Sequence, residues 1–205
     1  ADKGALSSER PDDIAGQVIR ELIRNSSIEA NESDDIIVGC AYPEGEQGYN
    51  IGRLMTCLGG LPAEVPGSTI NRLCGSSMQA ILTASANISA GWGDCFLCGG
   101  IESMSRVKRR GFNWSPNPTL EKELPNAYIN MGITAENVAD LYVISREEQE
   151  EFALKSHLKA AKAYSEGNFS NELVSIAFNS TEVSQDDCIR PDSTLESMSK
   201  LKPAF

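Results

Sequence analysis

The stretch "NRLCGSS", residues 71–77, puts a single cysteine between an apolar approach and a run of tiny residues. Upstream, "STINRL" reads as a brief strand after Pro66-Gly67. Downstream, "GSSMQAILTASANISAG", from Gly75 to about Gly91, reads as a helix rich in Ala, Ser and Gly. Small residues on all sides predict a helix packed closely on every face. Cys74 then stands at a strand-to-helix turn, which projects a side chain above a sheet edge and clear of its own backbone. N–H groups at a helix start favour thiolate over thiol, and the same groups can stabilise an oxyanion on a bound acyl group. Gly75 lets such a group approach, and Ser76 or Ser77 can cap the helix. The other reading is an inert core thiol, because free cysteine is among the most buried residue types. The pattern alone leaves both open.

Outward from this turn the chain alternates between helix and strand. "RPDDIAGQVIRELIRNSS" carries Ile14, Val18 and Leu22 at helical spacing behind an acidic start, which predicts an amphipathic helix. "DDIIVGCAY" is a short β-branched run, the pattern of a buried parallel strand. "NIGRLMTCLGGLP" predicts a second helix closed by Gly59 and Gly60, and "DCFLCGG" another apolar strand. This order predicts an open α/β sheet with right-handed crossovers. Near residue 104 the texture changes: "SMSRVKRRGFNWSPNPTLEKELPN" holds a basic cluster and three prolines and reads as an excursion out of the sheet. Helices return with "GITAENVADLYV" and with "REEQEEFALKSHLKAAKAYSEG", opened by the capping box of Ser145 and Glu148 and stopped at Gly167. "NFSNELVSIAF" alternates weakly, and "TLESMSKLKPAF" offers no closing element.

Composition narrows the function classes. Twenty-nine acidic against 18 basic residues give a formal charge of −11, which repels polyanions and argues against a nucleic-acid partner. No apolar run reaches the roughly 18–20 residues of a membrane span, and "ADKGALSSERPDD" has no hydrophobic signal core. A soluble, cytoplasmic protein is expected. Six cysteines spread over 205 residues fit free thiols in a reducing compartment. Cys95 and Cys98 in "CFLC" lack a second pair or a nearby histidine, so no metal site is expected and the thiols read as small hydrophobes of a strand.

At Cys74 the residues resemble the thiolase family, acyl-CoA C-acyltransferases. The resemblance runs through "GEQGYNIGRLMTCLGGLPAEVPGSTINRLCGSSMQAI", "GDCFLCGGIESMSRV", "MGITAENVADLYVISREEQEEFALKSHLKAA" and "RPDSTLESMSKLKPAF". It implies a layered α/β fold with a mixed sheet flanked by helices. Residues 1–103 would form the N-terminal half, without the family's first strand, and residues 104–205 a helical loop domain over the coenzyme A site. It further implies Cys74 as the acyl-accepting nucleophile, Met131 lining the acyl pocket and Arg190 near the coenzyme A nucleotide. Coenzyme A would be a substrate, with no tightly bound cofactor, and the assembly a homodimer or homotetramer.

The same resemblance shows what these residues lack. A complete thiolase continues into a second half that supplies a histidine, an asparagine and a second cysteine, so the chain alone is expected to be a very poor catalyst. Two other readings follow: a non-catalytic coenzyme A-binding or assembly fragment, and a ketoacyl synthase-like condensing enzyme. His157, the only histidine, is expected as a partly exposed helix residue. "RVKRR", residues 106–110, reads more as a solvated charge run than as a phosphate site. "GEQG", residues 45–48, reads as a loop with positive-φ glycines that in the family lies near a subunit contact. "SIAFNSTEVSQDDCIRP" is short for the family.

Overall fold

Pro11 opens the first helix, with Asp12 and Asp13 in its first turn and Arg24 in its last, the charge order a helix dipole favours; α1 runs Pro11–Asn25. The structure is a computed structural model describing residues 4–178 and 181–205. Residues 1–3, at the start of the stretch read for a signal core, and 179–180, inside the short stretch 175–191, lie outside the described residues.

Three strands follow, β1 (Asp35–Gly39), β2 (Gly67–Ile70) and β3 (Phe96–Gly100), joined through α2 (Ile51–Leu58) and α3 (Ser76–Ser89). They form one parallel sheet in the order β2-β1-β3, with Gly39 opposite both Ile70 and Gly100 at its carboxyl end. Alternation along β1 sorts its side chains onto two faces. Ile36 and Val38 join Ala15 and Ile19 of α1 and Ile51 and Met55 of α2, whereas Ile37 packs with Ala80 and Ala84 of α3. Helices on both faces explain why "DIIVG" is apolar throughout. Each fully buried Ile or Val of this core contributes about 1.5–3 kcal/mol. The antiparallel pairing expected of a mixed sheet occurs in a separate ribbon, where β4 (Ile176–Phe178) meets β5 (Thr181–Val183). Gln17 of α1 holds that ribbon: its side-chain amide donates to the Ala177 carbonyl at 3.0 Å and accepts the Ala177 N–H at 2.9 Å.

α3 departs from the sequence expectation. Only Ser76, Ala80 and Ala84, one stripe at four-residue spacing, are buried. Met78, Ile81, Leu82 and Ile88 are exposed. The small residues let one face of the helix settle closely on the sheet, and the remaining Ala and Ser positions do not carry packing on the other faces.

The fold divides into two units, Ala1–Trp114 with Val174–Ser184, and Ser115–Leu173 with Gln185–Phe205. The boundary expected at residue 104 thus falls at Ser115, because residues 104–114 are bonded to the GEQG loop. Arg106 donates to the Glu46 carboxylate and, at 2.9 Å, to the Ser8 carbonyl. The Phe112 N–H donates to Glu44 Oε2 at 2.6 Å, and Val107 is buried. Glu46 is held below the usual carboxylate range chiefly by its hydrogen bond from Arg106. Of the two glycines in GEQG, Gly45 takes a positive φ of 55° and Gly48 does not.

The second unit is helical: α4 (Pro118–Glu123), α5 (Met131–Tyr142), α6 (Arg146–Ser165) and α7 (Leu195–Ser199). None of its residues is buried. Asn130 caps α5 by accepting the Gly132 N–H at 2.8 Å, and Val143 ends it in the left-handed region. The capping box forms as expected, Ser145 accepting from the Glu148 N–H and the Glu148 carboxylate accepting from the Ser145 N–H. Gly167 follows α6 at φ 71°. The terminal α7, not foreseen, is capped by Thr194 with Ser197 in the place usually held by Glu or Gln.

Candidate functional site

Cys74 sits one residue before Gly75, the N-cap of α3, and is exposed. The turn that presents it begins at Asn71, whose Oδ1 accepts the Leu73 N–H at 2.8 Å while its Nδ2 donates to the Ala41 carbonyl at 3.0 Å. Leu73 takes φ 47°, the left-handed region that costs a side-chain-bearing residue about 1–2 kcal/mol. This reversal turns the chain out of the strand direction, and Cys74 follows it. Gly75 and Ser76 then donate their N–H groups to the Arg72 and Leu73 carbonyls at 3.0 and 3.1 Å. Two of the leading amides of α3 are thus taken within the turn.

The expected serine cap does not form. No side chain caps α3; Ser76 points back, accepting the Arg72 N–H at 2.9 Å and donating to the Leu73 carbonyl at 2.5 Å. Ser76 lies at the first helical position, one residue past the cap, and from there its hydroxyl meets the preceding turn.

Two glycines bring the helix start onto the sheet. A Cβ at Gly39 would lie 2.5 Å from both the Ser76 carbonyl carbon and the Ser77 nitrogen, and a Cβ at Gly100 would collide with the Ser77 hydroxyl. Gly39 and Gly100 are register partners, so the carboxyl edge of β1 and β3 is a flat seat for the first turn of α3. Beside it, Gln47 is buried and donates to the Tyr42 carbonyl at 2.9 Å and to the Glu102 carboxylate, while Glu102 accepts the Ala41 N–H at 2.7 Å. Sequence reading missed Asn71 and the backward-facing role of Ser76, along with Gly39, Gly100, Gln47 and Glu102. For the first two, a signal existed in their place within the turn motif itself.

The six thiols differ in environment. Cys40 is buried after β1, and burial, with Glu102 nearby, pushes its thiol up to about 11. Cys98 is raised too, by burial and then by Asp35, and it packs half-buried against Ile37, Ala80 and Ala84. Cys57 and Cys188 are exposed like Cys74, but neither adjoins a helix start. The inert-core reading therefore describes Cys40, whereas Cys74 is accessible. Among the described residues, no cluster of three His, Cys, Asp or Glu side chains is placed to hold a metal ion, and no helix is long and apolar enough to cross a membrane.

Met131 and Arg190 belong to the second unit. Met131 is the first residue of α5 and is exposed. Arg190 lines a cleft of about 620 Å³ with Arg146, Ala153, His157, Ser197 and Met198. Its backbone N–H donates to His157 Nδ1 at 3.3 Å, so the histidine, half-exposed on α6, accepts a bond from this segment. In the first unit, Arg106 of the basic run is bound to Glu46, and Arg110 stands 4.6 Å from the Trp114 ring centroid. The run forms structural contacts.

The family model described as "Thiolase, N-terminal domain" matches residues 1–205. The chain is 41% identical over 218 residues to a 3-ketoacyl-CoA thiolase of Bacillus subtilis, covering 100% of this chain and 56% of that protein. It is 43% identical over 208 residues to a 3-ketoacyl-CoA thiolase of Saccharophagus degradans, covering 98% and 53%. The crystal structure of the Bacillus anthracis acetyl-CoA acetyltransferase superposes with a TM-score of 0.82 at 35% identity, over 98% of this chain and 55% of that one. The chain thus spans about half the length of the curated relatives it matches.

Proposed function

The chain belongs to the thiolase family, matched along residues 1–205 by the model of its N-terminal domain, and from that premise we propose that the whole protein is an acyl-CoA C-acyltransferase with Cys74 as its nucleophile. The observation that carries this reading is the exposure of Cys74 immediately before the N-cap of a 14-residue helix seated on a parallel sheet. The Cys74 thiolate attacks the 3-keto carbon of a 3-ketoacyl-CoA, and amides of the first helical turn stabilise the oxyanion that forms. As the oxyanion collapses, the bond between carbons 2 and 3 breaks and its electron pair leaves on carbon 2. Protonation there releases acetyl-CoA. The acyl group left on Cys74 passes to the sulfur of free coenzyme A, whose proton goes to a base, and the thiolate is regenerated. The reverse sequence is a Claisen condensation.

Proton transfer in both halves falls to groups in the portion of the relatives that this chain does not span. By the family resemblance these are a histidine and a second cysteine, with an asparagine as oxyanion donor. Met131 lines the acyl pocket in this reading, and Arg190, on the wall of the second unit's cleft, meets the nucleotide of coenzyme A. Coenzyme A serves as substrate, and no tightly bound cofactor takes part. The second unit, Ser115–Leu173 with Gln185–Phe205, acts as the loop domain over coenzyme A, the protein works in fatty-acid breakdown in the cytoplasm, and it assembles as a dimer or tetramer.

Substituting Cys74→Ala in the full-length protein tests the reading. Thiolysis of a 3-ketoacyl-CoA should fall at least about a thousandfold, above the lower end of the 10²–10⁴-fold loss of an acid–base group. Retention of more than a tenth of the activity would place the nucleophile elsewhere.

A further inference from the structure

The turn before α3 holds a strained residue between two side chains that the reaction scheme does not use. Leu73 lies in the left-handed region, yet both its peptide groups are held: its N–H by Asn71 Oδ1 and its carbonyl by the Ser76 hydroxyl. Asn71 is in turn anchored to the Ala41 carbonyl, just beyond β1, and Ser76 is 4% exposed, wedged above Gly39. A serine at the first position of a helix ordinarily faces water. Here the hydroxyl is buried and bridges Arg72 and Leu73, the two residues that lead into the thiol.

We propose that the Ser76 hydroxyl and the Asn71 amide are positioning groups for Cys74, fixing the left-handed Leu73 turn so that the thiol stays exposed at the start of α3. The proposal rests on the reading of Cys74 as nucleophile. Neither side chain touches the acyl group; each acts through the backbone. Without Ser76 Oγ, the Arg72 N–H loses its partner and the Leu73 carbonyl keeps only the Ser76 N–H, so the left-handed conformation loses a constraint that offsets its strain. The turn then samples conformations in which Cys74 leaves the helix start, and its exposed sulfur meets an attacking reagent less often.

The test uses the full-length protein and a small neutral alkylating agent, iodoacetamide, with labelling followed peptide by peptide by mass spectrometry. Cys57, exposed in the same unit on α2, serves as internal reference. Ser76→Ala and Asn71→Ala should each slow labelling of Cys74 roughly five- to tenfold relative to Cys57, and Ser76→Thr, which keeps the hydroxyl, should recover most of the rate. General loosening of the fold would move the two cysteines together. If Ser76→Ala fails to fold, Asn71→Ala, at an exposed position, carries the same comparison. An unchanged Cys74 to Cys57 ratio in the folded variants overturns the proposal, as does failure of Ser76→Thr to differ from Ser76→Ala. Because no acyl-CoA enters this assay, its failure leaves the acyl-transfer reading standing. Failure of the wild-type protein to turn over a 3-ketoacyl-CoA removes that reading without touching the measured ratio.

Discussion

Replacing Gly39 by alanine places a methyl group where the sheet meets the nucleophile's helix. The added Cβ would stand 2.5 Å from the Ser76 carbonyl carbon, 2.5 Å from the Ser77 nitrogen and 2.7 Å from the Ser76 Cβ. None of these atoms can rotate away, since two are backbone and the third is fixed to it. Overpacking against mobile side chains costs about 1–3 kcal/mol, so a clash with backbone should reach at least the top of that range. Alanine gains roughly 0.5–1 kcal/mol over glycine in a strand through its smaller unfolded-state entropy. The net expectation is a loss of about 2–3 kcal/mol. Gly99→Ala is the matched control, because a Cβ there meets nothing within 4 Å; it should be neutral or stabilising by up to about 1 kcal/mol. Urea unfolding of the two variants, read by far-UV circular dichroism, should therefore separate them by about 3 kcal/mol, a midpoint difference of roughly 1–3 M for slopes of about 1–3 kcal/mol/M. Labelling of Cys74 should also slow in Gly39→Ala alone. Equal stability of the two variants, within about 0.5 kcal/mol, would refute the claim that α3 is seated on the glycine edge of the sheet.

Three further expectations concern charge and thiol chemistry. Asp35 has a buried oxygen, Oδ1, without a hydrogen-bond partner, and burial raises its pKa. A carboxyl raised in the folded state contributes most below its unfolded value, and that contribution is lost as pH rises through the folded one. Asp35→Asn should thus be near neutral at pH 3 and stabilising by about 1 kcal/mol at pH 7, and thermal melts that show destabilisation at pH 7 would contradict this. Glu148 is shifted the other way, lowered by its bond from the Ser145 N–H and then by the Ser145 hydroxyl. Its contribution is present above the unfolded value and lost as pH falls through the folded one, so Ser145→Ala should destabilise the start of α6 more at pH 7 than at pH 3. Hydrogen exchange of the first turn of α6 is the readout. Cys40, with a thiol at about 11, should resist iodoacetamide at pH 8 in the folded protein and label only in denaturant; labelling as fast as Cys57 would show that its pocket is open.

The turn at Cys74 was legible because its signals are local: a β-branched run, a glycine and a small-residue helix lie within about twenty residues. The two capping groups of that turn were harder to assign. Ser76 was expected to serve the helix ahead of it, yet it serves the turn behind, a choice that depends on the left-handed φ of Leu73. Residues 104–114 carry prolines and a basic run and so read as an excursion, whereas Arg106 and Phe112 bind Glu46 and Glu44 across 60 and 68 positions of chain. Such pairings leave no periodic trace. α7 escaped because its five residues are too few to show helical spacing and its capping box uses Ser197. The outer face of α3 was misjudged for a different reason: alanine and serine permit close packing without requiring it, and here only the stripe of Ser76, Ala80 and Ala84 is covered.

The central claim is that one accessible sulfur at a helix start accepts the acyl group. Incubating the full-length protein with a 3-ketoacyl-CoA, quenching in acid and mapping the peptides by mass spectrometry tests it most directly. The added acyl mass should reside on the peptide holding Cys74 and vanish when coenzyme A is supplied. An adduct on Cys57 or Cys188, or none on any cysteine while turnover proceeds, would contradict the account.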